Sequence, residues 1–203
     1  MAINLPERLQ EVQSYVEALF IKFQNDKLLY HNIEHTQKVV QRCNEISEAY
    51  VIDKTDIYIL TVAAWFHDVG HLFGTPPNHE DMSVEIMKSY FKKETPGHEV
   101  INAIAACIMA TKIPHDPKTL PEKIICDADT YHLGTADFIH TDEKLKRELQ
   151  LRINFPVADW DRTTLNMLIN HEYFTSYCLE LLNKGKQENI ALVIKRLKDN
   201  LQM

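Results

Sequence analysis

From Ile57 to Phe66 the chain reads Ile-Tyr-Ile-Leu-Thr-Val-Ala-Ala-Trp-Phe and then runs without a break into His67-Asp68-Val69-Gly70-His71. A helix that is apolar nearly all round has no face to offer solvent, so it must lie at the centre of a bundle. Asp53 or Thr55 can cap its start and Gly70 can break its end. An imidazole and a carboxylate therefore sit side by side at the end of the most buried segment. Burial disfavours the charge on each unless something pairs with it, and a divalent cation pairs with both groups at once. Neighbours on a regular helix point ~100° apart. Two such residues meet one ion only from a helix end, or with the ion between their directions.

The rest of the chain reads as helices. Leu5-Pro6-Glu7-Arg8 starts one that carries Leu9, Val12, Val16, Leu19, Phe20 and Phe23 and stops near Asn25-Asp26. The next segment, Tyr30 to Thr36, leads into a second apolar pattern at Val39, Val40, Cys43 and Ile46. After a turn-forming stretch from Leu72 to Asn78, a helix opens at His79 with Val84, Met87 and Phe91 on one face. Thr95-Pro96-Gly97-His98 punctuates the chain before a buried helix from Val100 to Ala110, which ends at Lys112 to Pro117. Leu120-Pro121-Glu122 starts a further one, containing Asp127-Ala128-Asp129. Beyond it we expect a charged helix from Asp142 to Ile153, a break at Asn154-Phe155-Pro156, one long helix from Thr163 to Leu182 and a last from Asn189 to Leu201. No period-two strand pattern occurs. The expectation is an all-α, single-domain helical bundle over 1–203, with the chemistry in a core of about 30–135 and the helices of 136–203 packed on it. Five glycines in 203 residues leave little room for linkers or a turn-rich β fold.

The formal charge is −7 and the basic residues are scattered, so no positive stripe exists to follow a nucleic acid polymer. A small anionic substrate is still compatible with one local positive pocket. Cys43, Cys107, Cys126 and Cys178 form no CxxC and read as reduced core thiols. The N-terminal residues lack a basic-then-apolar leader, and no apolar run approaches the ~20 residues of a membrane span. A cytoplasmic protein with no membrane partner is expected; oligomeric state is not legible.

Three readings compete for His31 and His35, which share a face if their segment is helical. They are surface or core histidines, or the HxxEH ligands of an inverted zinc peptidase with Glu34 as base, or one metal ligand and one proton donor beside a site. Asp127 and Asp129 repel each other and project on nearly opposite sides of a largely buried helix. One pointing inwards needs a cation, a cap or a hydrogen-bonding neighbour. His79 either lines a pocket or is solvated.

Taken together, His35, His67-Asp68 and Asp129 fall on three expected helices in the order H, HD, D. This arrangement resembles the HD superfamily of metal-dependent phosphohydrolases, and within it the small stand-alone members. The landmarks are Tyr30-His31-Asn32 ahead of His35, Ala63-Ala64-Trp65-Phe66-His67-Asp68, His79-Glu80 to Ser83, and Ala128-Asp129 followed by Leu133-Gly134. Tyr30-His31-Asn32 is also similar to cyclic-nucleotide phosphodiesterases, whose matching histidine acts as proton donor. The run His67 to His71 resembles the same region of deoxynucleotide triphosphohydrolases, whose longer loop signatures are missing.

The resemblance implies that His35, His67, Asp68 and Asp129 hold a metal ion, with Asp129 preferred to Asp127 because the family places its last ligand in an Ala-Asp pair. It implies His31 as proton donor and His71 and His79 as pocket residues, and it admits a second ion through extra histidines such as His98 or His115. Two imidazoles and two carboxylates suit Mn, Fe, Co, Zn or Mg. Asp68 and Asp129 cancel one divalent charge, so Lys112, Arg147 and Arg162 are candidate contacts for a phosphate. The expected activity is hydrolysis of a small phosphoester such as a nucleotide. The alternatives are a di-iron oxygenase and a catalytically silent, metal-bearing nucleotide-binding module.

Overall fold

The computed structural model describes residues 5–74, 76–92, 97–156 and 160–200, with the side chains of residues 5, 6, 76 and 200 left aside. Thr75, Thr95 and Pro96, expected in turns, lie outside the described residues. The elements are α1 (Leu5–Lys22), α2 (Ile33–Ser47), α3 (Lys54–Phe66), α4 (His79–Phe91), α5 (His98–Ala110), α6 (Leu120–Asp129), α7 (Phe138–Ile153), α8 (Trp160–Asn170) and α9 (Ser176–Asn200). Tight 3-10 turns at Val69–Leu72, Pro76–Asn78 and Tyr131–Gly134 join them. No strand occurs among the described residues, so the chain is all-α.

Every residue of α3 from Tyr58 to Phe66 is buried, as its composition demands, because α1, α2, α5 and α6 surround it. Side-chain caps set the helix starts. Asp53 Oδ1 accepts from the amides of Thr55 and Asp56, and Asn32 Oδ1 from those of Glu34 and His35. At α6, Thr119 Oγ1 accepts from the Glu122 amide while a Glu122 carboxylate oxygen accepts from Lys118 N, a reciprocal cap. The main core gathers α1 to α6 around α3 and takes in Tyr173, Cys178 and Leu182. A smaller cluster of Leu133, Phe138, Leu168 and Val193 ties the Tyr131–Gly134 turn to α7, α8 and α9.

Three expectations need correction. The helix from Thr163 to Leu182 does not exist, because α8 ends at Asn170 and α9 begins at Ser176. The cause is tertiary: Asp127 on α6 accepts from the amides of Phe174 and Thr175 and from Thr175 Oγ1, holding the chain open there. Conversely, no break separates Leu182 from Asn189. Gly185 lies inside α9 as a contact residue, since a Cβ on it would stand 2.0 Å from the carbonyl oxygen of Gly134. Third, α7 starts at Phe138 and not at Asp142, because Phe138 is fully packed in the smaller cluster. No helix among the described residues is long and apolar enough to cross a membrane.

Candidate metal centre

His67 is the C-cap of α3, and Asp68 leaves the helix with φ −105° and ψ 0°. The exit is held from α4: Ser83 Oγ donates to His67 O at 2.6 Å and accepts from Gly70 N at 2.8 Å. A Cβ on Gly70 would lie 2.0 Å from His79 O, so only glycine lets the start of α4 rest on this turn and bring His79 to Asp68. His67, fully buried, donates from Nδ1 to Ala64 O at 2.8 Å, which in the neutral ring leaves a lone pair on Nε2.

That nitrogen joins three other groups from α2, the α3 exit and α6. His35 Nε2 stands 3.0 Å from Asp129 Oδ1 and 3.3 Å from Asp68 Oδ2. His67 Nε2 stands 3.3 Å from Asp68 Oδ2 and 3.6 Å from Asp129 Oδ1. Although these atoms are close, His67 Nε2 and Asp68 Oδ2 are buried without a hydrogen-bond partner among the described residues. Native proteins rarely leave such atoms unpaired. His35, His67 and Asp68 each present one ligand atom within 4.8 Å of the others, a donor set that fits a divalent cation. Without an ion, burial opposes charge on both imidazoles, yet the Asp129 and Asp68 carboxylates raise the pKa of His35 and that of His67. Burial likewise opposes charge on Asp68 and Asp129, and the imidazoles pull both below the usual carboxylate range. Two protons then supply the positive charge that one divalent ion would bring.

The other oxygen of Asp68 faces different partners. Oδ1 lies 3.5 Å from His79 Nε2 and 3.9 Å from His71 Nε2. His31, His71 and His79 stack, with ring centroids 4.0 Å apart between the first two and 3.8 Å between the last two. His31 precedes α2 and its cap Asn32, so it does not share a helix face with His35, and the helical HxxEH reading fails; Glu34 is exposed. What holds His31 is Glu148 of α7, whose side chain is 0% exposed. Glu148 accepts from His31 Nδ1 at 2.6 Å and from the amides of Tyr30 and His31. Burial works against its ionisation, but the His31 bond and the amides bring its pKa down to about 2. Arg152, one turn on, bonds Glu148 Oε1, His71 Nδ1 and the carbonyls of His71 and Gly74.

A cavity of about 560 Å³ opens beside His35 and Asp129, within the range of small-molecule sites. Its basic side chains are Lys38, which faces Asp137 at 3.9 Å, Arg42, which pairs with Glu45, and Lys144; His132 and His140 also line it. Burial and neighbouring charge take His132 down to about 4, so it is a neutral wall residue that meets Tyr30 Oη. The expected phosphate contacts are elsewhere: Lys112 pairs with Asp81, Arg147 and Arg162 are exposed, and none of the three lines this cavity. His98 is exposed at the start of α5, and His115 bonds Thr111 O near His171, so neither joins the cluster. Sequence reading missed Glu148 and Arg152 because an i,i+4 Glu/Arg pair on a charged helix looks like an ordinary surface pair.

The HD domain model matches residues 32–134. No curated protein and no solved structure matches the chain significantly. The family match covers half of the chain and spans His35, His67, Asp68 and Asp129; the chain belongs to the HD domain family. Members of that family are typically metal-dependent phosphohydrolases, and the His/Asp cluster is suited to a divalent metal.

Proposed function

We propose that this protein hydrolyses small phosphate esters, nucleotides being the first class to test, with His35, His67, Asp68 and Asp129 holding one divalent ion. The observation that carries the reading is the pair of buried atoms without a hydrogen-bond partner, His67 Nε2 and Asp68 Oδ2, set among two further ligands beside a substrate-sized cavity. A divalent ion bound there supplies Lewis acidity and acidifies water to a pKa of ~7. His31 is the proton donor: Glu148 occupies Nδ1 and orients the ring, which leaves Nε2 to pass a proton to a departing oxygen. Such a group typically contributes ~10²–10⁴-fold. Because Asp68 and Asp129 neutralise one divalent ion, the cations of the cavity, Lys38, Arg42 and Lys144, are the groups that draw in an anionic ester. Buried walls around His67 and Asp68 keep bulk water away from the ligands.

The test is elemental analysis and a phosphoester screen on wild type and Asp68→Ala. Metal and hydrolysis should disappear together in the variant; retained turnover would sink the reading.

A two-ion reading, which a di-iron oxygenase would need, draws on one observation. His31, Asp68 and His71 also bring one ligand atom each within 4.8 Å of one another.

A further inference from the structure

The two sides of Asp68 differ in what their histidines can offer. On the Oδ2 side, His67 donates a hydrogen bond from Nδ1 to a backbone carbonyl, so its neutral ring turns an Nε2 lone pair inwards. On the Oδ1 side, His71 does the reverse. Arg152 Nη1 lies 2.8 Å from His71 Nδ1. A guanidinium has five N–H donors and no acceptor. Nδ1 must therefore accept, and the one proton of the neutral ring must sit on Nε2, the atom that points towards Asp68 Oδ1 at 3.9 Å. A nitrogen that carries its proton there cannot ligate a metal through the same position.

We propose that Arg152 sets the number of metal ions this centre holds. By donating to His71 Nδ1 it places an N–H on Nε2, so that the Oδ1 side of Asp68 is a hydrogen-bond donor site for an anionic oxygen, such as that of a phosphoryl group, and not a second cation site. Arg152 acts here as a positioning residue through His71. The guanidinium is well placed for this because it is itself pinned. Its side chain is 6% exposed, it pairs with the fully buried Glu148 at 2.9 Å, and it bonds the carbonyls of His71 and Gly74 at 3.3 and 3.0 Å. His71 has no freedom to turn its ring over, being stacked between His31 and His79 with interplanar angles of 27° and 21°. The same stack would bring several imidazoles to a second ion if Arg152 were absent. The residue thus separates a mononuclear centre from a dinuclear one that the flanking histidines could otherwise build. This inference rests on the metal reading above.

The experiment is a zinc titration of the full chain labelled with ¹⁵N-histidine, read by long-range ¹H–¹⁵N ring correlations together with zinc per chain, in wild type and Arg152→Met. In wild type, one equivalent of zinc should shift the coordinated nitrogens of His35 and His67. His71 should show a protonated Nε2 and an acceptor Nδ1 before and after zinc. Arg152→Met should take up a second equivalent with His71 among its ligands. A wild-type His71 protonated at Nδ1, or coordinated by zinc, overturns the inference while the shifts at His35 and His67 leave the metal reading intact. A folded Arg152→Met that still binds one equivalent overturns it too. Zinc that moves neither His35 nor His67 overturns the metal reading, and this inference with it. Should the variant fail to fold, the wild-type tautomer and stoichiometry decide.

Discussion

Asp127 and Asp129 stand two residues apart on α6 and have opposite fates. Asp127 is 0% exposed and its carboxylate is filled by donors: the amides of Phe174 and Thr175 at 2.8 Å each and Thr175 Oγ1 at 2.6 Å. Asp129 is partly open to the cavity and meets the Nε2 atoms of His35 and His67. A buried carboxylate surrounded by N–H and O–H groups is satisfied by the protein itself, so it holds the fold together. One surrounded by imidazole nitrogens, which satisfy it only while they carry extra protons, is suited to a cation that would replace those protons. The kind of partner, more than the depth of burial, separates architecture from chemistry here.

Exchanging the two roles gives the largest expected effect. Asp127→Ala would leave three donors unpaired, two of them buried, and free the start of α9, at a cost of about 1–3 kcal/mol for each buried donor, seen as a large drop in Tm. Asp129→Ala should keep the fold and lose metal, with affinity falling by more than the ~10–100-fold that removing a residue behind a ligand produces. Titration calorimetry alongside melting curves would read both. If Asp129→Ala unfolds the protein and Asp127→Ala does not, the assignment of roles is reversed.

Proton exchange sharpens the same contrast. Because His35 and His67 are held protonated above the usual imidazole range by Asp68 and Asp129, an incoming ion must displace protons. Apparent affinity should fall as pH drops below those raised values, by about tenfold per pH unit for each proton released. It should level off above them. Calorimetry in two buffers of different ionisation heat counts the protons; a heat independent of buffer would show that none is displaced.

A smaller effect is expected at Glu148, which supports His31 from behind as Asp127 supports α9. Glu148→Gln keeps an acceptor but removes the charge beside His31 and Arg152. Phosphoester hydrolysis should fall ~10–100-fold in kcat, by analogy with loss of residues that orient a site, while bound metal stays at the wild-type level. A variant that loses its metal would make Glu148 part of the metal centre and not a support for the proton donor.

The apolar run from Ile57 to Phe66 was enough to place α3 at the centre of an all-helical bundle, because a helix with no polar face has one stable position. The same run exposed His67-Asp68 as polar groups in a costly place, and the H, HD, D order with its landmarks carried the family. These features are local, or depend on periodicities that a linear chain displays. What only the tertiary structure decided involves partners far apart in sequence. Asp127 and Asp129 look alike until α9 supplies donors to one and α2 and α3 supply imidazoles to the other. The break before Ser176 has no sequence signal of its own, since a carboxylate 48 residues earlier imposes it. Gly185 falls in the gap between two expected helices, and only the Gly134 carbonyl packed against it shows that it belongs inside one. Glu148 and Arg152 form an unremarked i,i+4 pair on a charged helix, and burial against His31 and His71 turns them into determinants of the site. Local patterns report which segments are helical and which groups are expensive to bury, but which groups meet is set by how the helices cross.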